Sequence, residues 1–393
     1  MISVPEAQQL IIQHAEFFSS STIPLHKAWG QTLAKDVFAP IAIPPFNQSA
    51  VDGYAFAFKN LDASYHICGE IPAGTTHKMT PQPHEAVRIF TGAMVPNTCD
   101  TVIMQEFTNI ENQQLFIEDK GLKKGANIRK KGYQIAEKDL ALAKGTILNA
   151  GAIGFLATLG FTNIEVAQLP SISIIITGNE LVKPGQKLAE GQIYESNSLM
   201  LQAAFQSLHI SPSIIFVKDN ADATFQAISK AIQQSDIVVL SGGISVGDYD
   251  FVKQGLEANG VKEIFYKVAQ KPGKPLFFGK KGTKAIFGLP GNPAAALTCF
   301  YEYIFPYIKK GLGCPSPFLT TLRLPLSKSI QQKPGRAVFM KAFTDFNTVT
   351  PLEGQNSDAL QSFARANAFI LTPAEAATIE EGALITVHLL PKT

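Results

Sequence analysis

The stretch Ile172-Ser173-Ile174-Ile175-Ile176-Thr177-Gly178-Asn179-Glu180 decides the fold of this chain. It begins with an apolar run of the length of one strand and ends on glycine and polar residues, as a strand buried in a parallel sheet does before its loop. Beyond it, helical patterns alternate with further apolar runs. This alternation predicts a mostly parallel sheet with helices on both faces.

The periodicity after this first strand places the other elements of the sheet. Helical patterns cover 196–209, 221–234, 250–259 and 293–310, and apolar runs of strand length cover 213–217, 237–240 and 285–287. The segment 262–279 contains Lys271-Pro272-Gly273-Lys274-Pro275 and predicts a hairpin on the same sheet. We therefore expect a three-layer α/β domain over 169–317.

The rest of the chain predicts three smaller domains. Residues 3–19 favour an amphipathic helix capped by Ser3, residues 26–38 favour a second short helix, and a helical composition returns over 135–168. Short β-like runs separated by Gly, Pro and Asn fill 46–134, and the chain after residue 313 is β-patterned again. We expect a multidomain α/β plus β fold with four domains: a discontinuous, elongated, partly helical N-terminal one (1–45 and 135–168), a β-rich one (46–134), the α/β one (169–317) and a small barrel-like C-terminal β domain (318–393).

Composition and charge exclude several classes of protein. Of the 393 residues, 46% are hydrophobic and 17% are charged, which is enough apolar matter for folded cores. A net charge of +2 is too small to favour nucleic acid or an anionic membrane as a partner. No apolar run reaches the roughly 18 residues of a membrane span. The four cysteines have no metal-binding spacing, so we expect a cytoplasmic protein with reduced thiols.

Glycine or acidic residues follow every predicted strand of the parallel sheet. The loops that carry them are 177–180, 218–220, 241–250 and 288–293. Because ligands bind outside the carboxyl ends of parallel strands, these loops predict one binding rim. The third loop is rich in Gly and Ser, so backbone N–H groups of residues such as Gly242, Gly243 and Ser245 can hold an anion. An ordinary tight turn is the alternative interpretation.

Cationic side chains gather on the predicted hairpin. Lys267, Lys271 and Lys274 place three ammonium groups on or beside a turn that two prolines stiffen. Each contributes roughly 1.5–3 kcal/mol to holding an oxyanion when it is shielded from water. A solvated basic turn is the alternative interpretation.

Carboxylates lie on the same predicted rim. They belong to Glu180, Asp219, Asp248 and Asp250. Acidic groups beside a cationic phosphate site favour a Mg²⁺ ion or recognition of ring N–H donors. For any one of them, a helix cap or a salt bridge is the alternative.

Two further features have simpler explanations. Asn292 with Pro293 at the first helical position predicts a helix N-cap that leaves N–H groups for a ligand. The dense stretch 44–55 contains Asp52-Gly53, which predicts a β-turn with no function of its own.

Seven motifs, taken in order along nearly the whole chain, resemble the MoeA molybdopterin molybdotransferases, a family that also includes the C-terminal part of gephyrin. The Ser-Ala-Val-Asp-Gly-Tyr-Ala stretch separates this family from the related adenylyltransferases, which share Gly-Gly-Ile-Ser. The motifs are Ser49–Ala55, Thr91–Ala93, Asn127–Arg129, Thr177–Leu181, Ser241–Asp250, Lys271–Pro275 and Gly288–Pro293.

The resemblance implies an elongated homodimer in which the β-rich domain of one subunit faces the α/β domain of the other. It implies that molybdate supplies metal to the dithiolene of adenylylated molybdopterin, that AMP is released with the help of Mg²⁺, and that a molybdopterin adenylyltransferase is a partner. The implied catalytic residues are Asp52, Glu180, Asp219 and Asp250, with Glu180 and Asp250 as metal ligands. The implied substrate contacts are Thr91, Arg129, Lys267, Lys271, Lys274, Pro290, Asn292 and Pro293, and the implied oxyanion contacts are Lys274, Arg336 and Ser357.

Several positions depart from the family pattern. They are Asn47, Gln134, Asn179 and the pair Ala294-Ala295. These departures leave open a paralogue that handles tungstate. Two alternatives come from other classes: an adenylyltransferase that acts one step earlier and releases pyrophosphate, and a non-enzymatic scaffold for partner peptides. The Ser49–Ala55 stretch and the acidic and basic rim favour the molybdotransferase.

Overall fold

The computed structural model describes residues 1–75, 79–218, 220–242, 251–375 and 378–391. Its contacts divide the chain into two compact units, one made of residues 1–21 and 167–393 and the other of residues 22–166. The finer division into four domains remains a prediction. Among the described helices, none combines the length and the apolar character that crossing a bilayer requires.

Helices and strands lie at the following residues. The helices are α1 (Val4–Gln13), α2 (Ala150–Thr158), α3 (Asn197–Gln206), α4 (Ala221–Gln234), α5 (Phe251–Ala258), α6 (Pro293–Cys299), α7 (Phe305–Gly311) and α8 (Leu360–Phe363), with 3₁₀ turns at Leu25–Lys27 and Gln105–Phe107 and a π-helix at Phe300–Ile304. The first strands are β1 (Ser20–Pro24), β2 (Val37–Phe38), β3 (Gln48–Ser49), β4 (Gly53–Phe56), β5 (Ser64–Ile71), β6 (Glu85–Ile89), β7 (Thr101–Met104), β8 (Thr108–Glu111), β9 (Gln114–Ile117), β10 (Ile128–Arg129), β11 (Leu140–Leu142) and β12 (Asn163–Ala167). The others are β13 (Ile172–Thr177), β14 (Leu181–Val182), β15 (Ile193–Tyr194), β16 (Ser213–Val217), β17 (Ile237–Ser241), β18 (Lys262–Tyr266), β19 (Gln270–Lys271), β20 (Phe277–Lys281), β21 (Lys284–Leu289), β22 (Thr321–Pro325), β23 (Ile330–Gln331), β24 (Ala337–Thr344), β25 (Val349–Pro351), β26 (Ala368–Thr372), β27 (Thr378–Ile379) and β28 (Leu384–Leu389).

The predicted parallel sheet is present, with strand order β16-β13-β17-β21-β20-β18. The first four strands pair in parallel, while β20 and β18 add an antiparallel edge, so the hairpin prediction is also confirmed. Side chains of β13 alternate between two cores because successive residues of a strand face opposite sides. Ile174 and Ile176 pack in one core and Ile175 in the other. The sheet is therefore covered on both faces, as expected for three layers.

Two other six-stranded sheets flank the parallel one in sequence. The C-terminal sheet has the order β19-β24-β26-β28-β22 with β25 beside β24, and the sheet within residues 53–117 has the order β7-β4-β6-β5-β9-β8. Strand β19 precedes the lysine-containing turn and pairs in parallel with β24, where Lys271 lies opposite Val338. This pairing anchors the turn in the C-terminal sheet.

Two helix predictions near the N-terminus were wrong in extent or kind. Helix α1 begins after its Ser3 cap, as predicted, but ends at Gln13 rather than residue 19. Residues 26–38 form no α-helix: a 3₁₀ turn is followed by backbone bonds from Gly30 to Leu148 and from Leu33 to Thr146. These N–H groups find partners far along the chain, so they do not need the helical partner four residues back. The predicted helix 293–310 is present as three consecutive segments, α6, the π-helical turn and α7, with no residue between them.

Glu302 in the π-helix is only 2% exposed and accepts hydrogen bonds from His388 Nδ1 (2.9 Å) and Gln8 Nε2 (3.1 Å). Burial lowers the pKa of His388, but the hydrogen bond and charge of Glu302 outweigh it and raise that pKa above 6.5. The charged pair therefore stabilises the fold fully below pH 6.5, and this contribution is lost as the pH rises through the folded-state pKa.

We expect His388→Gln to reduce the dependence of stability on pH in this window. Below pH 6.5 the free energy of unfolding should fall by about 1.5 kcal/mol, since a hydrogen bond to a charged group is lost. Urea unfolding at a series of pH values measures both effects. His84→Gln, at an exposed imidazole, is the control and should keep the wild-type slope. An unchanged slope in His388→Gln would contradict the assignment.

Candidate active site

A cleft of about 710 Å³ opens at the carboxyl edge of the parallel sheet. It is formed by the ends of β13 and β17 and by the loop that follows β21, so the structure brings three of the four predicted loops together. Its lining includes Thr177, Gly178, Glu180, Glu195, Asn197, Ser241, Gly242, Pro275, Pro290, Asn292, Pro293 and Asp358. Asp219, Gly243, Ser245, Asp248 and Asp250, which were predicted here from the sequence, lie outside the described residues.

Gly242 allows the loops after β13 and β17 to approach closely. Its φ is +93°, and a Cβ atom there would lie 2.6 Å from the carbonyl oxygen of Thr177. A Cβ on Gly291 would lie 3.7 Å from the Cα of Gly242, so the loop after β21 also packs against it. Only glycine combines this backbone conformation with this contact. The close packing is thus established at the first glycine of the loop, and the predicted anion contacts of Gly243 and Ser245 lie outside the described residues.

Asn197 connects two of these loops, a role that the sequence did not reveal. Its Nδ2 donates to Ser241 Oγ and to the carbonyl oxygen of Gly291, both at 2.8 Å. Within the part of the chain that the structure describes, its Oδ1 and the Oγ1 of Thr177 are buried and have no hydrogen-bond partner. Buried polar atoms are nearly always satisfied in a native protein, so two such atoms in one cleft point to a polar ligand. Asn197 is the first residue of helix α3. A polar residue at the start of a helix is usually explained by capping, so the sequence alone does not indicate a second role.

Glu180 follows β13 and is exposed on the cleft. Within the described residues, no group of three or more His, Cys, Asp or Glu side chains is placed to hold a metal ion. Mg²⁺ commonly keeps several waters and binds through one or two carboxylates together with substrate phosphates. A single carboxylate such as Glu180 beside a phosphate-bearing substrate is compatible with that ligand set.

A second pocket of about 500 Å³ adjoins the cleft and is rich in cations. The side chains of Lys271, Lys274 and Arg336 line it together with Ser357 and Asn292. The cleft and this pocket share Pro275, Pro290, Asn292 and the carboxylate of Asp358. Lys267, which was predicted to contact the substrate, is not among the residues that line this pocket. Its Nζ lies 4.8 Å from the centre of the Tyr266 ring. We call this space the anion pocket.

The turn that carries Lys271 and Lys274 is held by buried groups. Gln270 is fully buried, and its Nε2 donates to the carbonyl oxygens of Pro272 (3.1 Å) and Gly273 (3.2 Å). The hydroxyl of Tyr303 donates to the other end of the same amide. Gly273 has φ +86°, and a Cβ there would lie 2.5 Å from the Sγ of Cys299. The backbone of this turn is therefore fixed, while the side chains of Lys271 and Lys274 are exposed.

The side chain of Asn292 does not cap helix α6, although its backbone occupies the N-cap position. Its Nδ2 donates instead to Ser357 Oγ at 2.7 Å, and the N–H of Ala295 donates to the carbonyl oxygen of Ser357 at 3.0 Å. The predicted N-cap position and the proline in the first turn are therefore confirmed, but no side-chain cap bond forms, and one N–H expected to serve a ligand is already used. The physical reason is that the C-terminal loop reaches the helix start and offers it a better partner.

Asp52, Thr91 and Arg129 belong to the unit of residues 22–166. Asp52 Oδ1 accepts from the N–H (2.7 Å) and the hydroxyl (2.8 Å) of Thr91. These bonds, with the charge of Arg88, hold the pKa of the Asp52 carboxyl below its ordinary value. Asp52 is thus an anion rather than a proton donor. The Asp-Gly turn prediction was wrong for Gly53: it begins β4, where a Cβ would lie 1.8 Å from the carbonyl oxygen of Ile103.

Family models match three successive parts of the chain. Residues 2–160 match "MoeA N-terminal region (domain I and II)", residues 173–310 match "Probable molybdopterin binding domain", and residues 323–390 match "MoeA C-terminal region (domain IV)".

Relatives and solved structures agree with these matches. Proteins named molybdopterin molybdenumtransferase from Staphylococcus aureus and Staphylococcus epidermidis are both 32% identical, over 99% of this chain and 95% of their own length. Two crystal structures of molybdopterin biosynthesis MoeA protein from Pyrococcus horikoshii are also similar. One has a TM-score of 0.87 at 25% identity, covering 99% of this chain and all of its own. The other has a TM-score of 0.85 at 28% identity, covering 99% of each.

Proposed function

The chain belongs to the MoeA family of molybdopterin molybdenumtransferases, and on that premise we propose that it transfers metal from molybdate to the dithiolene of adenylylated molybdopterin, with release of AMP. Molybdotransferase function follows from similarity along the whole chain. The adenylylated form of the substrate, the release of AMP and the use of Mg²⁺ are our proposal.

One observation carries this proposal: an anion pocket joined to a polar cleft. Lys271, Lys274 and Arg336 place three positive charges around a space that a tetrahedral oxyanion would enter. Charge-assisted hydrogen bonds from such groups are about twice as strong as neutral ones. The shared lining of the two spaces would hold oxyanion and pterin side by side, which is what metal transfer between them requires.

The cleft supports a pterin because it offers unsatisfied acceptors. Thr177 Oγ1 and Asn197 Oδ1 can accept hydrogen bonds from ring N–H donors, and Glu180 adds a carboxylate. Mg²⁺ bound at Glu180 would neutralise phosphate charge on the leaving AMP. The residues of the chain would then orient the substrates and hold the oxyanion.

AMP release tests the proposal directly. The purified protein is incubated with adenylylated molybdopterin and Mg²⁺, with and without molybdate, and AMP is measured by chromatography. We expect release that depends on molybdate. Tungstate replaces molybdate in a parallel series, since the pocket gives no reason to separate two oxyanions of the same shape. Pyrophosphate release from ATP and molybdopterin would instead support an adenylyltransferase, and no turnover in either assay would support a scaffold.

We expect Lys274→Ala to raise the half-saturating concentration of molybdate roughly 10- to 100-fold, because an ammonium group bound to a dianion is lost. The KM for the adenylylated pterin should change far less. Lys281→Ala is the control, because Lys281 is an exposed lysine at the end of strand β20 and is not among the residues that line the cleft or the anion pocket. Equal effects of the two substitutions on molybdate would mean that Lys274 has no special place in the pocket.

We further propose a cytoplasmic homodimer that receives its substrate from an adenylyltransferase. Large apolar side chains are exposed in the unit of residues 22–166, including Trp29 (63%), Phe38 (55%) and Leu140 (51%). Phe38 and Leu140 are cross-strand partners in the β2–β11 ladder. Exposed apolar groups that lie together favour a protein interface, and a two-fold dimer would bury both copies. All four cysteines are free, in keeping with reducing conditions. Sedimentation of the purified protein measures the oligomeric state.

A further inference from the structure

Lys341 of β24 is a buried cation, only 2% exposed. Its Nζ donates to three carbonyl oxygens, those of Gly354 (2.8 Å), Asn356 (3.1 Å) and Ala359 (3.0 Å). None of the salt bridges found in the described part of the chain includes it. Three carbonyls therefore use all three donors of the ammonium group. Burying a charge in this way is costly compared with an apolar residue, so stability alone does not explain it.

The loop that Lys341 holds is the one that brings Ser357 to the anion pocket. The main chain of Lys341 also forms hydrogen bonds with this loop. Its N–H donates to Gln355 Oε1 at 3.0 Å, and its carbonyl oxygen accepts from Gln355 Nε2 at 2.8 Å. On the other side, Ser357 is fixed by Asn292 and by the N–H of Ala295. The position of Ser357 thus depends both on Lys341 and on the start of helix α6.

Peptide geometry gives this arrangement a consequence for charge. The carbonyl of Asn356 points to Lys341, and a trans peptide directs the following N–H, that of Ser357, the opposite way. Within the described ranges, no backbone or side-chain acceptor takes this N–H. The carbonyl oxygens of Gly354, Asn356 and Ala359 therefore point toward the buried Lys341 ammonium group. The Ser357 N–H, which carries the positive end of its peptide dipole, points away from it.

We propose that Lys341 is a positioning residue for the oxyanion: it draws the loop carbonyls inward so that the Ser357 N–H and hydroxyl face the anion pocket. Lys341 does not touch the anion itself, because its three donors are occupied. The ligand class is a tetrahedral oxyanion, with molybdate as the probe, so the inference rests on the proposed function. Burial lowers the pKa of Lys341, while Asp358 on the same loop opposes that shift and favours the charged form.

A double-mutant cycle on Lys341 and Ser357 tests this role. Lys341→Met removes the charge at similar shape, and we expect it to raise the Kd for molybdate about tenfold or more, measured by calorimetry. The KM for adenylylated molybdopterin should stay close to the wild-type value. Ser357→Ala should also weaken molybdate binding. The double variant should bind no more weakly than Lys341→Met alone, because Lys341 acts through Ser357.

Lys284→Met is the matched control for removing a lysine that holds a carbonyl. Lys284 Nζ donates to the carbonyl oxygen of Ser235 at 2.8 Å, at the amino end of β21 and thus at the opposite edge of the sheet from the cleft. Its molybdate Kd should equal that of the wild type. If the effects of Lys341→Met and Ser357→Ala simply add, or if Lys341→Met leaves molybdate binding unchanged, the role of Lys341 is overturned. A wild-type protein that neither binds molybdate nor releases AMP overturns the proposed function as well.

A measurement on the unmodified protein covers the case in which Lys341→Met does not fold. Molybdate should slow hydrogen exchange at the Ser357 amide, since that N–H would donate to the anion. Lys341→Gln, which retains a donor but no charge, then takes the place of Lys341→Met in the cycle. Exchange at Ser357 that molybdate does not alter overturns the proposal, provided that binding is seen in the same sample.

Discussion

Glu180→Gln should reduce oxyanion-dependent AMP release about 100- to 1000-fold, the range expected when a group that stabilises charge in the transition state is lost. The substitution removes one charge at nearly constant shape. Glu180 is exposed on the cleft directly after β13, so its loss should leave the cores intact. Initial rates of AMP release as a function of Mg²⁺ concentration measure the effect. Mg²⁺ dependence should weaken along with the rate, because carboxylates are its protein ligands.

Glu190→Gln is the control for Glu180→Gln. Glu190 is an exposed carboxylate in the segment between β14 and β15, close in sequence to Glu180 but not part of the cleft lining. It should turn over like the wild type. A Glu180→Gln protein with the wild-type rate and Mg²⁺ dependence would remove Glu180 from the site and leave the carboxylate role to the predicted residues Asp219 and Asp250.

Gly242→Ala should lower AMP release at least about 100-fold, since displacements of the order of 1 Å in a site have effects of this size. The added Cβ would lie 2.6 Å from the Thr177 carbonyl oxygen and 3.0 Å from its Oγ1, so one of the two loops must move. That movement would displace Thr177 and the contacts of Asn197 with Ser241. Steady-state kinetics and thermal unfolding together separate damage to the cleft from general loss of stability.

Gly282→Ala separates backbone strain from steric contact. Gly282 also has a positive φ, +59°, but a Cβ there would meet nothing within 4 Å. It lies in the turn between β20 and β21, away from the cleft. We expect both substitutions to cost about 1–2 kcal/mol through the left-handed backbone, and only Gly242→Ala to lose activity. Comparable losses of activity in the two variants would show that Gly242 matters only for folding.

The sequence by itself determined the α/β architecture and the rim. Runs such as 172–176 and 237–240 are long enough for one strand and apolar on both faces. This pattern is typical of strands that are buried in a parallel sheet. The direction of parallel strands then places their following loops on one edge, so the order of residues along the chain is enough to group Glu180, Gly242 and Pro290. The cationic turn was also evident, because lysines, prolines and a glycine are local features.

Only the tertiary structure decided how these groups are held. The segment 26–38 has a helical composition, yet the N–H groups of Gly30 and Leu33 bond to residues over 100 positions away, and local propensity cannot foresee such partners. The local pattern around Asn292 predicts a helix cap, but the fold places Ser357 beside its side chain. The roles of Thr177, Asn197 and Lys341 were missed for the same reason. Whether a polar side chain is satisfied, orphaned or buried under a loop depends on which distant segments surround it, and folding alone brings those segments together.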